Sequence, residues 1–317
     1  MLLYVLKRIL YSIPIALGVT VISFMLVYLA PGDPLNAIAP ADAPEEVINA
    51  LRESYGLDRP VVVQYALWLL HAVQGDLGTS IASGRPVVAE VMKAVANTLL
   101  LAGVAALIGV VSGCILGAIA GYYHGGWIDR MATGSSVIGV SIPHYWLGLV
   151  LTICLSIWLP IFPAMGAGPG GSASWQFDWE HIRYLVLPAL TLAVIPMGII
   201  TRTVRALVSD MLQQEFVTAL RARGLSGRRI FLHIIKNTAP TVLAVAGLQV
   251  GYLMGGSILV ETVFAWPGTG FLLNAAIFQR DIPLLQGTIL VLCMFFVVLN
   301  LLVDILQPLI DPRMGRA

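Results

Sequence analysis

Residues 97–121 read NTLLLAGVAALIGVVSGCILGAIAG, twenty-five positions without an Asp, Glu, Lys or Arg. A helix needs about 20 mostly apolar residues to cross the hydrocarbon core of a membrane, so this stretch alone predicts a span. Working outward from it, five further stretches qualify: Ile9–Ala30, Ala132–Leu159, Tyr184–Val204, Thr241–Val263 and Leu284–Leu306. The composition agrees. Of 317 residues, 58% are apolar and 11% charged, against about 25% charged in soluble domains. With a mean hydropathy of +0.88, too few polar side chains exist to cover a water-exposed globule or to keep a chain disordered. A net charge of +1 counts against a nucleic-acid partner. The expectation is an all-α polytopic membrane protein of six transmembrane helices.

The first span follows Lys7 and Arg8, but its apolar run is too long for a signal peptide and YLAPGDP is a poor cleavage site. Basic residues then set the orientation. Arg205, Arg221, Arg223, Arg228, Arg229 and Lys236 crowd the segment between the fourth and fifth spans, and Lys7, Arg8, Arg130, Arg313 and Arg316 fall on the same face. That face is predicted to be cytoplasmic, with both termini on it. On this topology the cytoplasmic side holds twelve basic and four acidic residues and the outside six basic and twelve acidic, with Asp304 at the inner boundary. Near-neutrality hides a polarised molecule. Tryptophans 68, 158, 175, 179 and 266 are placed near the outer boundary and Trp127 near the inner one, as interfacial anchors.

Four regions follow: 1–30, the N-terminal tail and first span; 31–96, an extracytoplasmic helical segment; 97–307, a five-helix core with a cytoplasmic loop at 205–240; and 308–317, a cytoplasmic tail. In the outer segment Asp42 can cap a helix through EEVINALRESYG that closes at Gly56, Pro60 can start a second amphipathic helix through Val73, and Arg85–Ala96 reads as a third leading into the second span. Together they predict a small helical cap packed on the bundle. Its acidic excess fits a docking surface or plain solvation.

Glycine recurs at every fourth position in two spans: Gly109, Gly113, Gly117 and Gly121, and again Gly247, Gly251 and Gly255. Such spacing lets helices approach closely in lipid. Static packing and a sliding face beside a pathway both fit it. Away from their ends the spans carry no charged residue, which counts against an ion-coupled transporter and an intramembrane protease. Glu261 and Asp304 lie near helix ends, where charges can reach the interface. The chain's three lysines follow Leu6, Met92 and Ile235, so the glycine–lysine pair of a phosphate-binding loop is missing. Cys114, Cys154 and Cys293 sit in apolar runs, and the five histidines show no metal-ligand spacing. A stand-alone channel or facilitator and a membrane-embedded enzyme are the competing classes.

The loop MLQQEFVTALRARGLSGRRIFLHIIKNTAP carries two helical patterns, Ser209–Arg223 and a second that Ser226 can cap, with Gly224 as the break. Two short amphipathic helices joined at a glycine make a projection that can dock in a partner's groove. Here the sequence resembles the inner-membrane permeases of ATP-binding-cassette importers of the dipeptide, oligopeptide and nickel class, whose cytoplasmic signature is E-A-A-x-x-x-G. Ala219 and Gly224 match it. Thr218 stands where glutamate is generic, Leu220 replaces the second alanine, and Pro240 is slightly displaced, departures that resemble the peptide branch. APGDP at 30–34, YGLDRPVVVQYALWL at 55–69, GDLGTS at 75–80, SIPHYWLGLVL at 141–151, ETVFAWPGTGFLL at 261–273 and RDIPLLQG at 280–287 are similar to the same family over nearly the whole chain.

The resemblance implies a type I importer permease in a bacterial inner membrane. It would form half of a translocation path with a second, homologous permease, as a heterodimer. Two cytoplasmic ATPases would use ATP and magnesium, a solute-binding protein would deliver cargo, and this chain would hold no cofactor and catalyse no reaction. Short peptides would be the cargo, with nickel chelates, glutathione or another small solute as the alternative. Glu215, Ala219, Arg221, Arg223, Gly224, Ser226 and Arg228 would couple the permease to the ATPases; attraction to anionic lipid is the other reading of the arginines. His144, Gln249 and Asn300 are the polar span residues that fit either the path or helix–helix hydrogen bonds.

Overall fold

A computed structural model describes residues 2–29, 44–54, 58–171 and 175–310. The described residues form eleven α-helices and no named strand. The helices are α1 (Leu2–Leu29), α2 (Glu45–Ser54), α3 (Val61–Val73), α4 (Val87–Tyr122), α5 (Trp127–Ser141), α6 (His144–Thr152), α7 (Trp179–Leu212), α8 (Glu215–Ala222), α9 (Gly227–Val263), α10 (Thr269–Gln279) and α11 (Ile282–Ile310). Five are long and apolar enough to cross a membrane, and α5 with α6 makes a sixth if that bent pair is one span. The polytopic all-α expectation holds. APGDP, the Asp42 cap, the Gly56 stop and Arg313 and Arg316 lie outside the described residues.

Several boundaries differ from the sequence reading, each for a local reason. The third span is not one helix. Pro143 cannot donate a backbone hydrogen bond and pushes Ile142 into extended conformation, so the chain bends by 102° between α5 and α6. Past α6, Ile153–Trp158 widens into π-type turns. Arg85–Ala96 leads into the second span without a break: α4 begins at Val87 and continues for 36 residues, about 54 Å at 1.5 Å per residue. At α7, Asp178 caps the first turn by accepting from the His181 backbone N–H, and from its imidazole Nδ1, at 2.8 Å. Those donors hold the Asp178 carboxyl below its ordinary range.

The chain divides into two compact units, one from Met1–Asn97 and Pro267–Leu301, the other from Thr98–Trp266 and Leu302–Ala317. In the first, the turn around GDLGTS meets RDIPLLQG. Asp281 is buried and caps α11 through Oδ1, which accepts from the Leu284 N–H at 3.1 Å. Its Oδ2 accepts from the Ser80 hydroxyl at 2.5 Å and the Ala82 N–H at 3.0 Å. A buried carboxylate is tolerable because three donors satisfy it. Val87, Val91, Val95, Ala276 and Leu284 pack beside it.

In the second unit α7 is the centre. The Gly109–Gly121 stripe of α4 lies directly against it. A Cβ at Gly113 would come within 2.9 Å of the Met197 carbonyl oxygen, one at Gly117 within 2.6 Å of that of Thr201, and one at Gly121 within 2.7 Å of that of Arg205. On another side a Cβ at Gly198 would meet the Ser136 carbonyl of α5 at 2.8 Å. These are contacts of static packing. Two glycines of the second stripe behave otherwise: no described residue lies within 4 Å of a Cβ at Gly251 or Gly255.

Two further placements change. Glu261 does not reach toward an interface; it is fully buried, and its Oε1 accepts from the Thr98 hydroxyl at 2.7 Å. Trp266 is also fully buried, whereas Trp127, Trp158 and Trp179 are about three-quarters exposed and remain suited to anchoring. The glycine contacts predict that Gly117→Val loses about 1–3 kcal/mol of stability through overpacking. Gly255→Ala should leave it unchanged. Thermal unfolding of the purified chain in detergent checks both.

Candidate functional site

Helix α8 is short because its ends are fixed. α7 stops at Leu212, so the predicted helix Ser209–Arg223 is in fact the end of α7, a turn, and α8. At the far end Gly224 adopts φ +77, a left-handed conformation open to glycine at little cost. The Gly224 N–H donates to the Arg221 carbonyl at 2.9 Å and the Leu225 N–H to the Leu220 carbonyl at 3.2 Å. This paired closure satisfies the last carbonyls of the helix, and Leu220 and Leu225 join the same apolar cluster. The second predicted short helix is the first stretch of α9, which runs unbroken through the fifth span. Ser226 holds its N-cap position, but its hydroxyl makes no capping bond.

The amphipathic pattern sorts α8 into two faces. Phe216, Val217 and Leu220 turn inward; Val217 is fully buried against Ile200, Val204 and Val208 of α7 and Ile230 and Ile234 of α9. Glu215, Thr218, Ala219 and Ala222 occupy the opposite face and are exposed, as are Arg221, Arg223, Gly224, Ser226 and Arg228 around the turn. The leucine that replaces the signature's second alanine therefore serves the packed face. Ala219 and Gly224, the two matching positions, lie on the surface. The seven coupling candidates are brought together on one exposed ridge, rigidly backed by the ends of two spanning helices.

Next to this ridge is a pair that the sequence reading missed. Asp129, in the first turn of α5, is buried and receives both edges of the Arg205 guanidinium: Nε at 2.5 Å and an Nη at 2.8 Å. The Gly125 N–H and Thr133 hydroxyl donate to the same carboxylate. His124 Nδ1 lies 3.2 Å from Arg205. The pair ties the α4–α5 turn to α7, and its neighbour His124 lines a cleft of about 370 Å³ together with Gln213 and Arg221. Seventy-six residues separate the partners, so no spacing rule joins them; the one available signal was an acidic residue in an otherwise basic inner segment.

Of the three candidate path residues, His144 and Gln249 have described side chains, one packed against α9 and one on it. His144 opens α6 with its ring against α9, its Cε1 3.6 Å from a Cβ built at Gly256, and its buried Nδ1 has no hydrogen-bond partner. Gln249 is buried on α9 two turns earlier, on the same helix face as Gly256. Asn300 lies on α11, and its side chain is outside the described residues. Among the described residues, no group of three or more His, Cys, Asp or Glu side chains is placed to hold a metal ion.

Comparison with known proteins places this architecture. Residues 113–316 match the family described as binding-protein-dependent transport system inner membrane component, and residues 1–102 match the N-terminal region of such membrane components. The chain is 36% identical to a dipeptide transport system permease protein of Alkalihalophilus pseudofirmus, over 99% of each chain. It is 37% identical to an oligopeptide transport system permease protein of Bacillus subtilis, over 98% of each. It is 38% identical to a glutathione transport system permease protein of Salmonella typhimurium, again over 98% of each.

Breaking a buried ion pair from one side leaves an uncompensated charge and costs about 3–5 kcal/mol. Arg205→Ala should therefore lower the unfolding temperature of the chain in detergent. The double variant Asp129→Leu/Arg205→Met should recover most of that loss.

Proposed function

This chain belongs to the binding-protein-dependent transport system inner membrane component family, and on that premise we propose that it is the permease subunit of an ATP-driven importer of short peptides. Dipeptide, oligopeptide and glutathione permeases among its full-length relatives support that cargo class, glutathione being itself a tripeptide. The single observation that carries the mechanism is α8: an exposed helix seated by a buried apolar face on the ends of two spans.

In this reading 205–240 is the coupling loop and faces the cytoplasm, as do both termini. Two partner ATPases hydrolyse ATP with magnesium and grip α8 along Glu215, Ala219, Arg221, Arg223, Gly224, Ser226 and Arg228. The chain itself binds no cofactor and catalyses no reaction. When the ATPases close, α8 is displaced. Val217 and its neighbours pass that displacement to α7 and α9. Close-packed interiors move as bodies rather than deform. The glycine contacts of α4 and α5 with α7, and the Asp129–Arg205 pair, make those helices follow.

The translocation path lies between this chain and a second, homologous permease. An open α9 face supports that placement: no described residue lies within 4 Å of a Cβ at Gly251 or Gly255, and the adjoining Tyr252 is 74% exposed. His144, Gln249 and Asn300 are the polar groups assigned to that path. Segment 31–96 faces outward and receives the solute-binding protein that delivers cargo.

Uptake of a labelled dipeptide into vesicles tests the proposal. The complete set of both permeases, ATPases and binding protein should accumulate it with ATP, and omission of the ATPases should abolish uptake. Gly224→Glu should abolish it too while leaving the permease in the membrane. Accumulation by this chain alone, or full uptake by the variant, would overturn the reading.

A further inference from the structure

The helix α3, VVVQYALWLLHAV, has no buried residue although eleven of its thirteen positions are apolar or aromatic. At ~100° per residue its side chains fall on three faces. One carries Tyr65 and Trp68 and packs on α1: the Tyr65 hydroxyl is 2.7 Å from the Thr20 hydroxyl, and both rings lie against Phe24, at centroid distances of 5.5 and 5.7 Å. A second holds Val62, Val63, Ala66, Leu70 and Val73 in one arc and is exposed; Val62 is 77%, Leu70 54% and Val73 79% accessible. The third is a narrow strip of Gln64 and His71.

What covers the second face is set by where α3 sits. Thr20 and Phe24 belong to the apolar window Leu6–Met25 by which α1 crosses the membrane. Phe24 lies about 8 Å short of the helix end at Leu29, at 1.5 Å per residue. Their neighbours Val21 and Ile22 are 41% and 63% exposed, as side chains of a spanning helix facing lipid are. A helix with a wide apolar face, a narrow polar strip and aromatic residues at the junction suits the boundary between headgroups and acyl chains. The Tyr65 hydroxyl, carried into the packed face, is paired with Thr20.

We infer that α3 is an interfacial helix whose Val62–Leu70–Val73 face is embedded in the acyl chains of the leaflet that receives the C-terminal end of α1, with Gln64 and His71 turned to water. It is a lipid-contact element that braces the first span. It is not part of a solvated cap.

The test uses the assembled importer in phosphatidylcholine vesicles, with Cys114, Cys154 and Cys293 replaced by serine and a nitroxide attached at single cysteines. Labels at Val62→Cys, Leu70→Cys and Val73→Cys should relax strongly with oxygen and weakly with a water-soluble nickel chelate. Those at Gln64→Cys and His71→Cys should show the reverse. Hydroxyl-radical labelling of the unsubstituted importer gives a second readout: His71 modified, Leu70 and Val73 spared. Nickel access or radical modification at positions 70 and 73 would overturn the inference in favour of a solvated cap. Shielding of 62, 70 and 73 from both relaxants would overturn it in favour of a protein partner.

Discussion

Everything in the second unit depends on how closely α7 can be approached. Four glycines on α4 and one on α7 itself remove the side-chain layer that normally keeps helices 8–10 Å apart. In lipid no hydrophobic drive holds helices together, so short-range backbone contact and satisfied polar groups must do it. α7 meets both requirements: the Gly109–Gly121 stripe along one side, Gly198 against Ser136 on another, and Arg205 clasping Asp129 at one end. With α7 fixed in that way, α8 has a firm seat. The coupling role proposed for α8 needs that seat, because a loose support would absorb displacement instead of passing it on.

The same constraint divides the two glycine stripes, which look alike in the sequence. Spacing shows only that a helix face is smooth; what lies against it is decided by tertiary placement. On α4 it is the backbone of α7, and on α9 no described residue lies within 4 Å of a Cβ at Gly251 or Gly255. The ring of His144 meets α9 at a third glycine, Gly256, outside the four-residue series. A sequence pattern that left packing and movement open thus resolves into one packed face and one free face.

Much of the architecture was legible before the coordinates. Hydropathy located every spanning stretch, because the bilayer imposes a length that few other environments demand. The break at Gly224 followed from helical periodicity and glycine conformation, whereas the inward placement of Val217 came only with the structure. Less legible was continuity: α4 and α9 run through segments read as short helices, since nothing at Arg85–Ala96 or past Ser226 breaks the helix. The bend at Pro143 was hidden inside an apolar run long enough for one span. The pairings of Asp129 with Arg205 and of Ser80 with Asp281 follow from no spacing rule; each joins residues far apart in the chain through geometry. Buried Glu261 misled for the opposite reason, because a charge near a helix end is ordinarily solvated, and here Thr98 receives it instead.

The account turns on the claim that the exposed face of α8, and not its packed face, meets the ATPase. A photoreactive phenylalanine analogue at Ala219 or at Val217 of the assembled importer addresses that claim directly. At Ala219 the account predicts a covalent adduct with the ATPase subunit, and at Val217 adducts within this chain alone. An ATPase adduct at Val217, or none at Ala219, would contradict it.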